Sequence, residues 1–144
     1  MSKKAWMQHA SSFILGIFFI NVGIGHFLDP AWFEPIVPTI LGDPTFWVLI
    51  TGAMEVVLGL GLIIPRTRKY AGLFMALFLV AVYWANLNMW INNVPLEGKT
   101  FEGKWHVLRL IAQFMMIGVA LWVGNWLERK NNIYSKSESR IFLN

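Results

Sequence analysis

Thr51–Lys69 reads TGAMEVVLGLGLIIPRTRK: an apolar run with one carboxylate, Glu55, near its middle, stopped by Pro65 in a basic cluster. If the run crosses a bilayer as a helix, Glu55 lies near the depth where an ionised group is costliest, roughly 2.5–3.5 kcal/mol on insertion scales. The reading of the rest follows from what would make that residue tolerable. Gly52, Glu55 and Gly59 fall at i, i+3 and i+7, on one face of a helix, so Glu55 sits in a groove of small residues that a neighbouring helix can approach closely.

The whole chain supports a bilayer setting. Of its 144 residues 56% are hydrophobic and 14% charged, with a mean hydropathy of +0.53, against about 25% charged in an ordinary soluble domain. It contains no cysteine, which excludes disulfides, thiolate metal sites and thiol redox chemistry. The net charge of +4 does not point to nucleic acid, because the basic residues sit between apolar runs rather than in a stripe. The bilayer is the expected partner.

Four spans are predicted, at about 10–28, 46–64, 70–91 and 105–127, each long enough for roughly 30 Å of hydrocarbon. The fold class is therefore all-α, a four-transmembrane-helix bundle in a single domain. A basic start before an apolar run also fits a signal peptide, but no small-residue cleavage site follows, so the first run reads as a retained helix. Residues 29–45, DPAWFEPIVPTILGDPT, carry four prolines and cannot continue as a regular helix. Their Trp32, Phe33, Ile36, Val37, Ile40 and Leu41 suit a segment on or dipping into the interface. Residues 128–144 read as a polar tail.

Orientation follows from Lys and Arg. The N-terminus, the second-to-third connection and the tail hold Lys3, Lys4, Arg66, Arg68, Lys69, Arg129, Lys130, Lys136 and Arg140; the other two loops hold only Lys99 and Lys104. Both termini are expected in the cytoplasm, with the proline-rich loop on the outer side. Trp47, Trp90, Trp105 and Trp126 fall at span ends, as an interfacial aromatic belt requires.

Within the spans only Glu55 and Arg109 carry formal charge. Their opposite signs make a buried pair the economical arrangement. At about 1.5 Å per residue, Glu55 lies about 14 Å below the outer end of its helix, Gln113 about 12 Å and Arg109 about 6 Å. His106, Arg109 and Gln113 share one face, Gly16, Gly23 and His26 another, and Tyr83, Asn86 and Trp90 a third. The expected site is an outward-opening polar pocket of His26, Glu55, Asn86, Arg109 and Gln113, drawn from all four helices and lidded by the proline-rich loop. The same contacts would equally hold four helices in register without a ligand. Asn21 and Asn88 look offset and read as packing residues, and His9 as interfacial. Three histidines on separate segments give no metal-site pattern, and no phosphate loop or nucleophile elbow occurs.

Gly23-Ile-Gly-His26-Phe27-Leu-Asp-Pro30, then Gly52-Ala-Met-Glu55 running to Gly61-Leu-Ile-Ile-Pro65-Arg66, then Ala85-Asn86 and Leu108-Arg109-Leu110 with Gln113, resemble the DoxX family of small four-helix bacterial membrane proteins. The likeness covers roughly residues 10 to 127. Some relatives look like subunits of a thiosulfate:quinone oxidoreductase, others are linked to membrane redox or detoxification complexes, and distant animal relatives look like receptor-assembly chaperones. The resemblance implies a multi-pass protein of a bacterial cytoplasmic (inner) membrane and a quinone-linked subunit of a membrane redox complex. In that reading the chain holds no cofactor of its own, a quinone lies in the pocket, Glu55 relays protons, and a membrane or peripheral redox partner supplies electrons. The alternative is a non-catalytic membrane binding or assembly module for a lipid, small molecule or partner membrane protein. Transport is a weaker reading, since four helices without an inverted repeat would have to oligomerise with copies of the chain to alternate access.

Overall fold

The computed structural model describes residues 1–127; residues 128–144, read above as a tail, lie outside the described residues. The described chain is all-helical: α1 (Lys3–Leu28), a short α2 (Pro30–Phe33), α3 (Pro44–Ile63), α4 (Arg68–Ile91) and α5 (Gly103–Val123), with 3-10 turns at Glu34–Ile36 and Thr39–Leu41. Helices α1, α3, α4 and α5 are long and apolar enough to cross a membrane, which is consistent with a multi-pass membrane protein. The outer faces agree: Phe13, Ile14, Phe74, Leu77, Phe114 and Met115 are exposed, an arrangement suited to lipid rather than water.

Two ends differ from the sequence reading by more than a residue or two. Helix α1 starts at Lys3 rather than near residue 10, because the Ser2 side chain caps it by accepting from the Ala5 amide at 3.2 Å, a favourable start for an exposed first turn. Helix α5 stops at Val123 rather than at 127. Gly124 is its C-cap, Asn125 takes φ 59, and Trp126 turns back to donate its indole N–H to the Lys69 carbonyl at 2.6 Å.

The helices pack as a ring: α1 on α3, α3 on α4, α4 on α5 and α5 on α1. The closest seam is α1–α3, and glycine sets it. A Cβ on Gly16 would lie 2.7 Å from the Gly59 carbonyl, and one on Gly23 would lie 2.6 Å from the Gly52 carbonyl. The two heptad-spaced pairs meet antiparallel, and nothing larger fits between the backbones. At α4–α5, Gly72 lies equally close to the Ala120 carbonyl.

Hydrophobic packing is concentrated at the end bearing the N-terminus and the Pro65 turn. Leu15, Phe19, Leu62, Met75, Leu79 and Val123 form its centre, with Leu62 and Met75 fully buried. Arg68 completes that end. Its buried side chain donates from Nε to the Leu62 carbonyl (2.9 Å), from Nη2 to the Ile63 carbonyl (3.1 Å) and from Nη1 to His9 Nδ1 (2.9 Å). A guanidinium that satisfies the last carbonyls of α3 also meets the negative end of the helix dipole. The basic turn thus contains one structural arginine, and His9 is its partner. At the opposite end the bundle is less completely filled.

Candidate functional site

The proline-rich stretch is folded over the open end of the bundle by specific bonds. Trp47 Nε1 donates to the Leu41 carbonyl at 2.8 Å, Thr45 Oγ1 donates to Glu34 Oε1 at 2.7 Å, and Asn88 Nδ2 donates to the Ile36 carbonyl at 3.2 Å. Trp47 and Asn88, read from sequence as belt and packing residues, therefore hold this cover in place. Beneath it lies a cavity of about 570 Å³ walled by α1, the proline-rich segment, α3 and α4, within the size range of small-molecule sites.

Most of its wall is apolar, with Phe33, Val37, Val48 and Phe78 among the lining residues; its polar groups are His26, Thr51, Glu55 and Asn86. Each reaches the cavity for a local reason. His26 follows Gly23 by one helical turn, and Gly52 opposite leaves room for its Cβ, since a Cβ at Gly52 would lie 2.5 Å from it. Glu55 is on the turn after Gly52. Thr51 points its hydroxyl back along α3, donating to the Trp47 carbonyl at 2.7 Å.

His26 Nδ1 lies 3.0 Å from the Val48 carbonyl. The carbonyl can only accept, so Nδ1 carries the proton and Nε2 faces Glu55. Nε2 and Glu55 Oε2 are 3.8 Å apart, beyond direct hydrogen-bond reach. Among the described residues, Glu55 Oε2 is the one buried side-chain nitrogen or oxygen without a hydrogen-bond partner. Glu55 as a residue is only 7% exposed. The Phe33 ring packs edge-on against His26 at 4.0 Å between centroids and fixes the imidazole plane from the cover side.

The expected Glu55–Arg109 pair does not form. Arg109 Nη1 contacts Met89 Sδ at 2.7 Å, and its guanidinium lies 4.9 Å over the Phe101 ring, a cation–π placement. The reason is the ring order of the bundle: α5 packs on α4 and α1 and makes no comparable contact with α3. Gln113 is buried but engaged, donating to the Leu79 carbonyl across the α4–α5 seam. His106 stacks on Trp90 with an interplanar angle of 7°. The structure thus brings His26, Glu55 and Asn86 together and leaves Arg109 and Gln113 outside; α5 does not line the cavity. Thr51, which sequence reasoning missed, sits one turn before Glu55, and that spacing was the available signal.

No group of three or more His, Cys, Asp or Glu that could hold a metal ion occurs among the described residues. The model of one protein family, described as a domain of unknown function (DUF8561), matches residues 15–124. No curated protein and no solved structure matches the chain.

Proposed function

The chain belongs to the DUF8561 family, and we propose that it is a DoxX-like bacterial inner-membrane protein whose cavity receives a quinone, as a quinone-binding subunit of a membrane redox complex. The observation that carries this reading is Glu55 Oε2, buried without a partner 3.8 Å from His26 Nε2 on the wall of an otherwise apolar cavity. A buried polar atom left unpaired costs about 1–3 kcal/mol, and in a bilayer such a group defaults to a functional role. A quinone oxygen accepting from a protonated Glu55 carboxyl, or a quinol hydroxyl donating to Glu55 Oε2 or to the unprotonated His26 Nε2, would supply the missing partner, while the apolar walls suit the ring and tail.

Reduction of a quinone takes up a pair of electrons and a pair of protons. Glu55 and His26 are the groups in the cavity that can pass protons to the ring oxygens, and the electrons come from a partner redox protein. By the distribution of Lys and Arg, the covered end with its proline-rich segment faces away from the cytoplasm.

The test is equilibrium binding of a quinone to the full chain in lipid nanodiscs, read by quenching of Trp47, which lines the cavity. Saturable binding that weakens about tenfold or more in Glu55→Gln supports the reading. Quenching that never saturates, or that is the same in Glu55→Gln, contradicts it. The second reading, a non-catalytic module for a lipid, draws on the largely apolar wall, which would serve an acyl chain equally well. It is favoured if a lipid saturates the site and quinones do not.

A further inference from the structure

We propose that the cavity is loaded sideways from the bilayer, through a gap between α3 and α4 rimmed by Met54, Ala81 and Trp84, and that its ligand is a single-chain amphiphile with its head against Glu55 and His26 and its tail in that gap. This deepens the preceding reading and rests on it for the location of the head, but not for the head's identity.

The other approaches are narrower, although Leu41 and Trp47 at the covered end also line the cavity and are 38% and 37% exposed, tied to each other by the Trp47 bond. The end of the bundle is covered by Phe33, Ile36, Val37 and Pro38, held down by the Trp47, Thr45 and Asn88 bonds. The α1–α3 seam is shut by the interlocked glycines. Toward the Pro65 turn the core fills the interior.

The α3–α4 seam differs. Met54 and Trp84 line the cavity, yet they are 44% and 59% exposed, and Ala81 between them is exposed as well. Residues that touch both the cavity and the outside mark where the two communicate. Ala81, with only a methyl group, is where the rim is lowest.

Depth decides what reaches this mouth. Met54 is about 15 Å along α3 from Pro44, and Trp84 about 10 Å along α4 from Ile91, so the gap lies inside the span of both helices. The exposed residues beside it, Ile50 and Val57 on α3 and Leu77 and Val80 on α4, are all apolar. A water-soluble ligand would have to cross hydrocarbon to enter here, whereas one already dissolved in the bilayer meets the mouth directly. A buried polar pair inside and an apolar rim outside together select a polar head on an apolar chain.

Three probes test this on the full chain in nanodiscs, with each affinity corrected for partition into protein-free discs. They are a decyl-tailed benzoquinone, the same ring without the tail, and a monoacylglycerol. Ala81→Trp fills the gap from α4; because Ala81 faces outward the fold should tolerate it, and Met54→Trp fills the gap from α3 should Ala81→Trp fail to fold. The expected result is that a tailed probe binds the wild-type chain and is weakened about tenfold or more by the filled gap, while the tail-less ring, if it binds, associates more slowly through the shared entrance but loses much less affinity because it has no tail to seat there. The portal is overturned if neither tailed probe binds the wild type, if the filled gap leaves tailed probes unaffected, or if it weakens tailed and tail-less rings alike. The quinone reading fails separately, when the monoacylglycerol binds through the gap and the tailed quinone does not.

Discussion

Glu55 and His26 put an unpaired carboxylate oxygen and an imidazole nitrogen on the wall of one cavity, and this is where stability and function pull apart at the scale of single residues. A residue kept only for packing would be better replaced by an apolar side chain of the same length. Glu55→Met is therefore expected to raise stability by about 1–3 kcal/mol, the cost of an unsatisfied buried group, while abolishing ligand binding. A lower thermal midpoint for Glu55→Met in detergent would show that the carboxylate holds the bundle together. Arg68 is the opposite case, with each of its three guanidinium nitrogens donating a hydrogen bond. Arg68→Met is expected to destabilise by about 2–4 kcal/mol through loss of charged hydrogen bonds to two carbonyls. Arg68→Lys should recover only part of that, because an ammonium lacks the planar fork. Thermal melts of both variants check this.

The sequence separated these two residues poorly for a physical reason. Arg68 lies in a basic turn, and a count of charges by position assigns every lysine and arginine there to the solvent or headgroups. Only the three-dimensional path of α3 and α4 around Pro65 brings its side chain under the last carbonyls of α3. Arg109 shows the complementary limit. Helical spacing correctly put it on a face with His106 and Gln113, but spacing within a helix does not say which helix that face meets. The pairing with Glu55 needed α5 beside α3, and the bundle places α4 and α1 there instead.

At the scale of elements, the glycines on α1 and α3 were legible because close helix approach requires the same small residues at the same spacing in soluble sequence and in space. Their consequence is specific. Gly59→Ala would drive a methyl into the Gly16 carbonyl, and it is expected to lower the thermal midpoint and loosen the α1–α3 seam. Gly118→Ala on α5 meets no atom within 4 Å; it should be neutral or raise stability by up to about 1 kcal/mol through helix propensity. Equal effects at the two positions would mean that the seam is not set by backbone approach. Gly52→Ala should act on the site as well as the fold, since the added carbon crowds His26. Residues 29–45 were legible as an apolar stretch unable to continue as a regular helix, and as a lid, but what fastens the lid was not: the bonds from Trp47 and Asn88 to its carbonyls leave no local pattern in the sequence.

For the whole molecule, the four apolar helices and their order could be read from hydropathy alone, since each must satisfy its backbone internally in a bilayer. Orientation is a statement about the membrane and rests on the charge bias. The cysteine-free chain makes it testable without background. A cysteine at Ile40, which is 81% exposed on the proline-rich segment, should react with a membrane-impermeant maleimide added to intact cells. A cysteine at Arg66, exposed in the turn after α3, should react only after permeabilisation. The reverse pattern would place the cavity's covered end in the cytoplasm and overturn the orientation drawn from the charge bias.

The most direct measurement of the central claim is an experimental density map of the chain purified from its own membranes and saturated with a quinone. The expected result is elongated non-protein density with its head within hydrogen-bond distance of Glu55 and His26 and its tail leaving between Met54 and Trp84. A cavity that stays empty or holds only water, or density that gathers at Arg109 instead, would contradict it.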